Sequence, residues 1–214
     1  MRKGNIVGWE EALKNQPKSY KKWFTKEKEY LIKNIKKNSK VLEVGSGNGR
    51  SIVDILEITK DITGIDNDET AIMHSRENLK DYPNVKLILA EGKELPFIEE
   101  TFDYITCIGT FANFGEDKYK ILAEMKRVLK EKGKIIISVY SDKAFEERLK
   151  LYKKLKFEIK EIKNNGTVIF SDPNTEGISE QFSKKQLEEI AKKVGLKIED
   201  ITDAGIGYLY TLAK

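Results

Sequence analysis

The feature that most constrains this chain is an alternation that begins near residue 40. "KVLEVG", "DITGID", "NVKLILAE", "TFDYITCIG" and "KIIISVY" are short apolar runs. Between them lie the helix-patterned stretches "GRSIVDILEIT", "DETAIMHSRENLKDY" and "EDKYKILAEMKRVLKE", the last closed by Gly133. Strands apolar on both faces, alternating with helices, predict a parallel sheet covered by helices on both sides.

The C-terminal part breaks the alternation. "SKKQLEEIAKKVG" predicts a helix with Ser183 as N-cap and Gly195 just past its end. "LKIEDITDAGIGYLYTLAK" then reads as two strands around Ala204 and Gly205, too close for a helical crossover and therefore antiparallel. Residues 142–182 read as a helix (142–155) and a hairpin turning at Asn164-Asn165-Gly166. This is an insertion in the sheet domain that could serve as a lid. Residues 9–37 carry helical periodicity interrupted near Pro17. The organisation expected is an N-terminal helical cap over 1–39 and one α/β domain over 40–214.

Composition narrows the function. A chain of 214 residues supports one domain with a sizeable core. No apolar run reaches the roughly eighteen residues of a membrane span, and the start lacks an apolar stretch of signal-peptide length. A cytoplasmic protein is expected. One cysteine, Cys107, and one histidine, His74, leave no internal disulfide and no zinc site built from several Cys and His. A Ser-His-Asp triad would have to use His74; no metal site is expected. The first forty residues carry a net +8 and the rest −4. A basic end of this kind can touch RNA, but its basic residues are almost all Lys, whereas planar readout favours Arg.

Function is concentrated in "VLEVGSGNGR", residues 41–50. In an open parallel sheet, ligands lie beyond the carboxyl ends of the strands. Gly45, Gly47 and Gly49, with Ser46 between, allow a sharp turn and a close ligand approach. The dinucleotide fingerprint would need Gly at 50, where this chain has Arg50, and the lysine-bearing phosphate loop is absent. Glu43, an acid inside a buried strand, needs a partner, which a cationic ligand group could supply. Asp66, at the end of "TGID", can accept from both hydroxyls of a ribose. Glu91 can accept from an exocyclic amine, and Gly92 offers an unhindered N–H. Taken singly, each has a plainer alternative: a lysine salt bridge for Glu43, a helix cap for Asp66, a solvated loop acid for Glu91. Together they describe a ligand with a cation, a ribose and an amino-bearing base, which fits S-adenosylmethionine or its product.

These residues bring the chain close to a known family. "VLEVGSGNG", "GIDND", "AEGKELPF" and "FDYITCIGTFANF", in that order, resemble the motifs of the class I S-adenosylmethionine-dependent methyltransferases. The resemblance covers about 40–140 and resumes over about 183–214. It implies a Rossmann-like, doubly wound seven-stranded sheet with the last strand antiparallel. It implies that Glu43 holds the methionine amino group, directly or through water, and that Gly45 and Gly47 line the methionine part. Asp66 would bind the ribose, Glu91 and Gly92 would meet the adenine, and Ile108 or its neighbours would offer backbone to the amino-acid end. Asn67 departs from the apolar residue often found beside the ribose acid. Asp103 starts its strand, away from the reaction, and is expected to be structural.

The acceptor is less constrained. Methyl transfer from a sulfonium needs alignment more than a strong base, so no catalytic residue is assigned. "CIGTFANF" lacks the Asn/Asp-Pro-Pro-aromatic motif of base-modifying enzymes, and Cys107 reads as a small buried residue rather than a nucleophile. The same turn resembles that of glycine- and histidine-type amino-acid N-methyltransferases, which suggests Asn113 as a substrate contact and a small amine or amino acid as acceptor. Tyr140 should face the site, and Tyr20 and Trp23 could close over it; the alternative for both is a helix packing on the sheet. The rival functions are an RNA or protein methyltransferase using the basic N-terminal region, and a cofactor-binding interaction module without transferase activity.

Overall fold

A computed structural model describes residues 16–171 and 177–214. The helix expected upstream of Pro17, and the rest of the cap before residue 16, lie outside the described residues. The first described helix, α1 (Lys18–Asn34), leads into β1 (Val41–Val44). Then follow α2 (Arg50–Ile55), β2 (Ile62–Asp66), α3 (Glu69–Asn78), β3 (Lys86–Leu89), β4 (Phe102–Ile108), α4 (Lys118–Val128) and β5 (Leu129–Tyr140). Two 3₁₀ turns, Phe111–Asn113 and Gly115–Asp117, lie between β4 and α4. After β5 come α5 (Phe145–Lys154), β6 (Ile159–Ile162), β7 (Val168–Phe170), β8 (Ile178–Ser179), α6 (Lys184–Lys193), β9 (Lys197–Asp203) and β10 (Gly207–Ala213).

The main sheet has seven strands in the order β3-β2-β1-β4-β5-β10-β9, and β10 runs antiparallel to both neighbours. The strands from β1 to β5 are all parallel to one another. β1 leads to β2 on one side, and the chain later returns to place β4 on the other. The carboxyl ends of β1 and β4 therefore flank the point where strand order reverses, which is where an open α/β sheet presents its crevice.

α1 is amphipathic and lays Tyr20, Trp23, Glu27, Tyr30 and Leu31 on the sheet. Trp23 Nε1 donates to Ser138 Oγ of β5 at 3.0 Å, and Tyr30 Oη lies 2.8 Å from Thr211 Oγ1 of β10. Gly207 permits this contact: a Cβ there would stand 2.2 Å from Trp23 Nε1. α6 begins on a capping box between Ser183 and Gln186, as the expected N-cap required.

Two expectations change. Gly133 does not close α4, because the helix ends at Val128 and Gly133 lies inside β5. The last helical carbonyls are taken by the loop before β4, with Glu100 N on Arg127 O and Thr101 N on Val128 O. The chain then pairs Leu129 with Phe102 and bulges before resuming at Lys134 opposite Tyr104. The second change is a small antiparallel sheet, β6-β7-β8. Its hairpin turns at the expected asparagines, with Gly166 N on Lys163 O. The two-residue β8, which returns toward the turn after β4, was not legible as a strand.

Candidate functional site

The site is built from strand ends. β1 runs straight into the glycine turn, where Gly45, Gly47 and Gly49 all adopt left-handed φ of 76°, 54° and 88°. A Cβ on Gly45 would meet Thr110 Cγ2 at 2.3 Å, and Thr110 Oγ1 donates to Gly45 O at 2.9 Å. The turn is thus locked against the loop after β4. Gly45 N and Ser46 N both donate to Ile65 O at 2.9 Å. Ser46 Oγ is buried and has no hydrogen-bond partner among the described residues.

Glu43 is wholly buried. It accepts from Ser51 Oγ at 3.0 Å, from Ile108 N at 3.2 Å and from Thr106 Oγ1. Burial pushes its carboxyl up to about 7, against the pull of these donors and of the nearby Arg50. Glu43 therefore draws the ends of β1, β4 and α2 together. No lysine pairs with it among the described residues. Asp66 stands at the end of β2. Its Oδ2 accepts from Gly47 N at 2.8 Å and its Oδ1 from Asp68 N at 3.0 Å, while burial raises its pKa. The cap of α3 is Asp68, whose side chain accepts from Thr70 N, so Asp66 is left facing the glycine turn. At the rim, Asn67 Nδ2 lies 3.4 Å from both carboxylate oxygens of Glu91. A Cβ added at Gly92, the next residue, would meet Val44 and Ile121 at 3.4 Å.

The other half of the crevice lies over the ends of β4 and β5. Tyr140, Trp23 and Tyr20 cluster there, with Trp23 and Tyr140 ring centroids 4.9 Å apart and Tyr20 Oη donating to Tyr140 Oη at 3.3 Å. All three are nearly inaccessible. Asn113 is exposed, and its Nδ2 donates to Ile178 O of β8 at 2.8 Å. Asp103 accepts from Lys40 N and Lys130 Nζ, each at 2.8 Å, at the opposite end of the sheet. Cys107 is buried, and its thiol is pushed up by burial.

Several participants were not singled out beforehand. Thr106 and Ser51 secure Glu43; a hydroxyl inside an apolar strand, and one two residues past the glycine turn, were readable signals. Arg50 pairs with the buried Glu27 of α1 at 2.9 Å and covers the ring of Phe24 at 4.2 Å. That pairing joins residues far apart in the chain and left no local trace. No group of three or more His, Cys, Asp or Glu able to hold a metal occurs among the described residues. None of the described helices is long and apolar enough to cross a membrane.

The residues present fit an adenosyl sulfonium. There is a left-handed glycine turn at the end of β1, a buried Ser46 hydroxyl without a partner among the described residues, a buried acid at Glu43 and a second acid at the end of β2, Asp66. Fold and site define a class I S-adenosylmethionine-dependent methyltransferase. The chain belongs to the methyltransferase domain family, whose model matches residues 35–198. It is 31% identical over 186 residues to an uncharacterised protein of Methanocaldococcus jannaschii, covering 83% of this chain and 77% of that one. It is 31% identical over 122 residues to the demethylmenaquinone methyltransferase of Bacillus licheniformis, covering 56% of this chain but only 51% of the relative. Among solved structures it resembles the Burkholderia thailandensis 1,6-didemethyltoxoflavin-N1-methyltransferase with bound substrate and S-adenosylhomocysteine. That match has a TM-score of 0.65 and 18% identity, and covers 87% of this chain and 76% of that one.

Proposed function

We propose that this methyltransferase acts on a small molecule. The observation that carries the reading is the roof over the acceptor half of the crevice. α1 closes it with Tyr20 and Trp23, and the α5–β8 segment reaches across to Asn113 through Ile178 O. An approach covered by packed aromatic rings suits a compact acceptor better than a polymer. The two named relatives above act, by their names, on demethylmenaquinone and on a toxoflavin precursor.

Glu43, Gly45, Ser46, Gly47 and Ile108 would hold the amino-acid end of the cofactor, with Gly49 setting the entry to α2. Asp66 would hold the ribose; Asn67, Glu91 and Gly92 would meet the adenine. When bound, S-adenosylmethionine supplies a methyl group already activated on a sulfonium. The protein's contribution is to orient the acceptor and exclude water, and orientation alone can lower a barrier by roughly 7–11 kcal/mol. Tyr140, Tyr20 and Trp23 form the acceptor wall, and aromatic faces stabilise adjacent cations. The α5–β8 segment acts as the lid. A cytoplasmic location is part of this reading.

An amine or amino acid was expected from the resemblance of the turn at Asn113. One N–H of that amide is given to Ile178 O, which leaves its Oδ1 and second N–H for a ligand; the acceptor class is argued from charge below.

The test is a labelled-methyl screen over phenols, amines, amino acids, quinols, protein and RNA. Transfer to a small molecule is the expected result; transfer to RNA or protein alone would contradict it. The RNA reading has one observation in its favour, the exposed Lys18, Lys21, Lys22, Lys33, Lys36 and Lys37 on and after α1. Steep salt dependence of RNA binding would support that rival.

A further inference from the structure

The two halves of the crevice differ in charge. The cofactor half carries Glu43, Asp66 and Glu91. The acceptor half carries Arg148, which projects from α5 and is wholly buried. Its guanidinium covers the ring of Tyr140 at 4.9 Å from the centroid, and so stands immediately behind the acceptor wall. Every N–H of Arg148 is used, and every acceptor is neutral. Nε donates to Tyr152 Oη at 3.2 Å. Nη1 donates to Gly166 O at 3.0 Å and Gln181 Oε1 at 2.9 Å. Nη2 donates to the carbonyl and hydroxyl oxygens of Ser179.

No carboxylate among the described residues pairs with it. The nearby acids are otherwise engaged: Glu147 by Ser19 Oγ and Lys150, Glu180 by Lys118, Asp142 by Tyr208 Oη. A buried charge without a counter-ion is costly, and its field is poorly screened. The segment has five neutral bonds to satisfy the guanidinium's donors, so Arg148 also ties α5, the hairpin turn and β8 into one unit. Its hydrogen bonds leave its charge uncompensated by any carboxylate among the described residues.

Resting on the small-molecule reading above, we infer that the acceptor is an acidic hydroxyl compound, a phenol or enol that reacts as its anion, and that Arg148 determines this specificity. The acceptor's proton passes to water before transfer. Its oxygen, or the conjugated carbon, then gives an electron pair to the methyl carbon, while the pair of the breaking carbon–sulfur bond stays on sulfur. Anion and sulfonium both become neutral. A neutral amine undergoing the same displacement emerges as an ammonium. Either displacement makes the acceptor atom one charge more positive, so Arg148 selects through the charge the acceptor carries: its field holds an anion in the site and opposes the cation that an amine becomes.

The test uses matched pairs of aromatic phenols and amines on the same ring skeletons. Turnover is followed by labelled-methyl transfer, and affinity by calorimetry with S-adenosylhomocysteine in place. The phenol of each pair is expected to bind and react at least ~10-fold better. Its kcat at saturating acceptor should rise with pH through an inflection below the phenol's own pKa in water, because the guanidinium lowers the pKa of the bound phenol. Arg148→Lys should keep the lowered inflection and Arg148→Met should raise it, an effect that loosening of the fold alone does not produce. If Arg148→Met fails to fold, the wild-type comparison still decides. Amines equal to or better than phenols, or an inflection at or above the free pKa, would overturn the inference and leave the small-molecule reading intact. Cofactor binding with no member of either series bound or methylated would overturn both.

Discussion

Glu43 sits in the middle of a buried strand with three donors around it, and burial still outweighs them. Its folded pKa of about 7 lies above the ordinary 4.5. The contribution of its protonated form to stability is therefore complete below about pH 4.5 and is lost as pH rises through 7. The full difference corresponds to roughly 3 kcal/mol. Glu43→Gln removes this titration. The melting temperature of the ligand-free wild type, relative to that of the Gln variant, should fall between pH 5 and pH 8; parallel profiles would contradict the burial argument. Asp66 is expected to act on the ligand instead. Asp66→Ala should weaken cofactor binding by about 1–3 kcal/mol in calorimetry, the range for hydrogen bonds to a charged group. Asp103→Ala, at the far end of the sheet, should leave that affinity unchanged.

Among the elements, α1 and α6 make contrasting predictions. Gly207→Ala puts a methyl into Trp23, and the helix must shift to admit it. A loss of about 1–3 kcal/mol in denaturant unfolding is expected, with altered tryptophan fluorescence. Ser183→Ala dissolves the capping box of α6 and should cost about 1 kcal/mol without changing cofactor affinity. The elements of the main sheet were legible because burial on two faces leaves a continuous apolar run, and each helix between them has its own period. Gly133 misled because glycine is a common helix terminus, while the actual stop came from tertiary bonds to Glu100 and Thr101. β8 was invisible because two residues carry no period. The acidic and glycine residues of the proposed cofactor half could be read from short motifs at the ends of the first three strands. The setting of Arg148 could not: its partners, from Tyr152 to Gln181, are brought together only by folding.

At the scale of the whole molecule, strand order does most to determine what the protein can do. The reversal between β1 and β4 opens one crevice at the carboxyl ends of the strands, flanked by the glycine turn after β1 and the turn after β4. In the proposed reading, α1 and the α5–β8 segment face the acceptor half and take no part in holding the cofactor. Acceptor chemistry and cofactor recognition should therefore separate under mutation. The account's central claim is that this crevice is shaped for an adenosyl sulfonium. Titration calorimetry with S-adenosylmethionine tests it most directly. One site per chain, displaced by S-adenosylhomocysteine and weakened in Asp66→Ala, is the predicted result; no heat with either compound, or tight binding of a nicotinamide dinucleotide in their place, would contradict it.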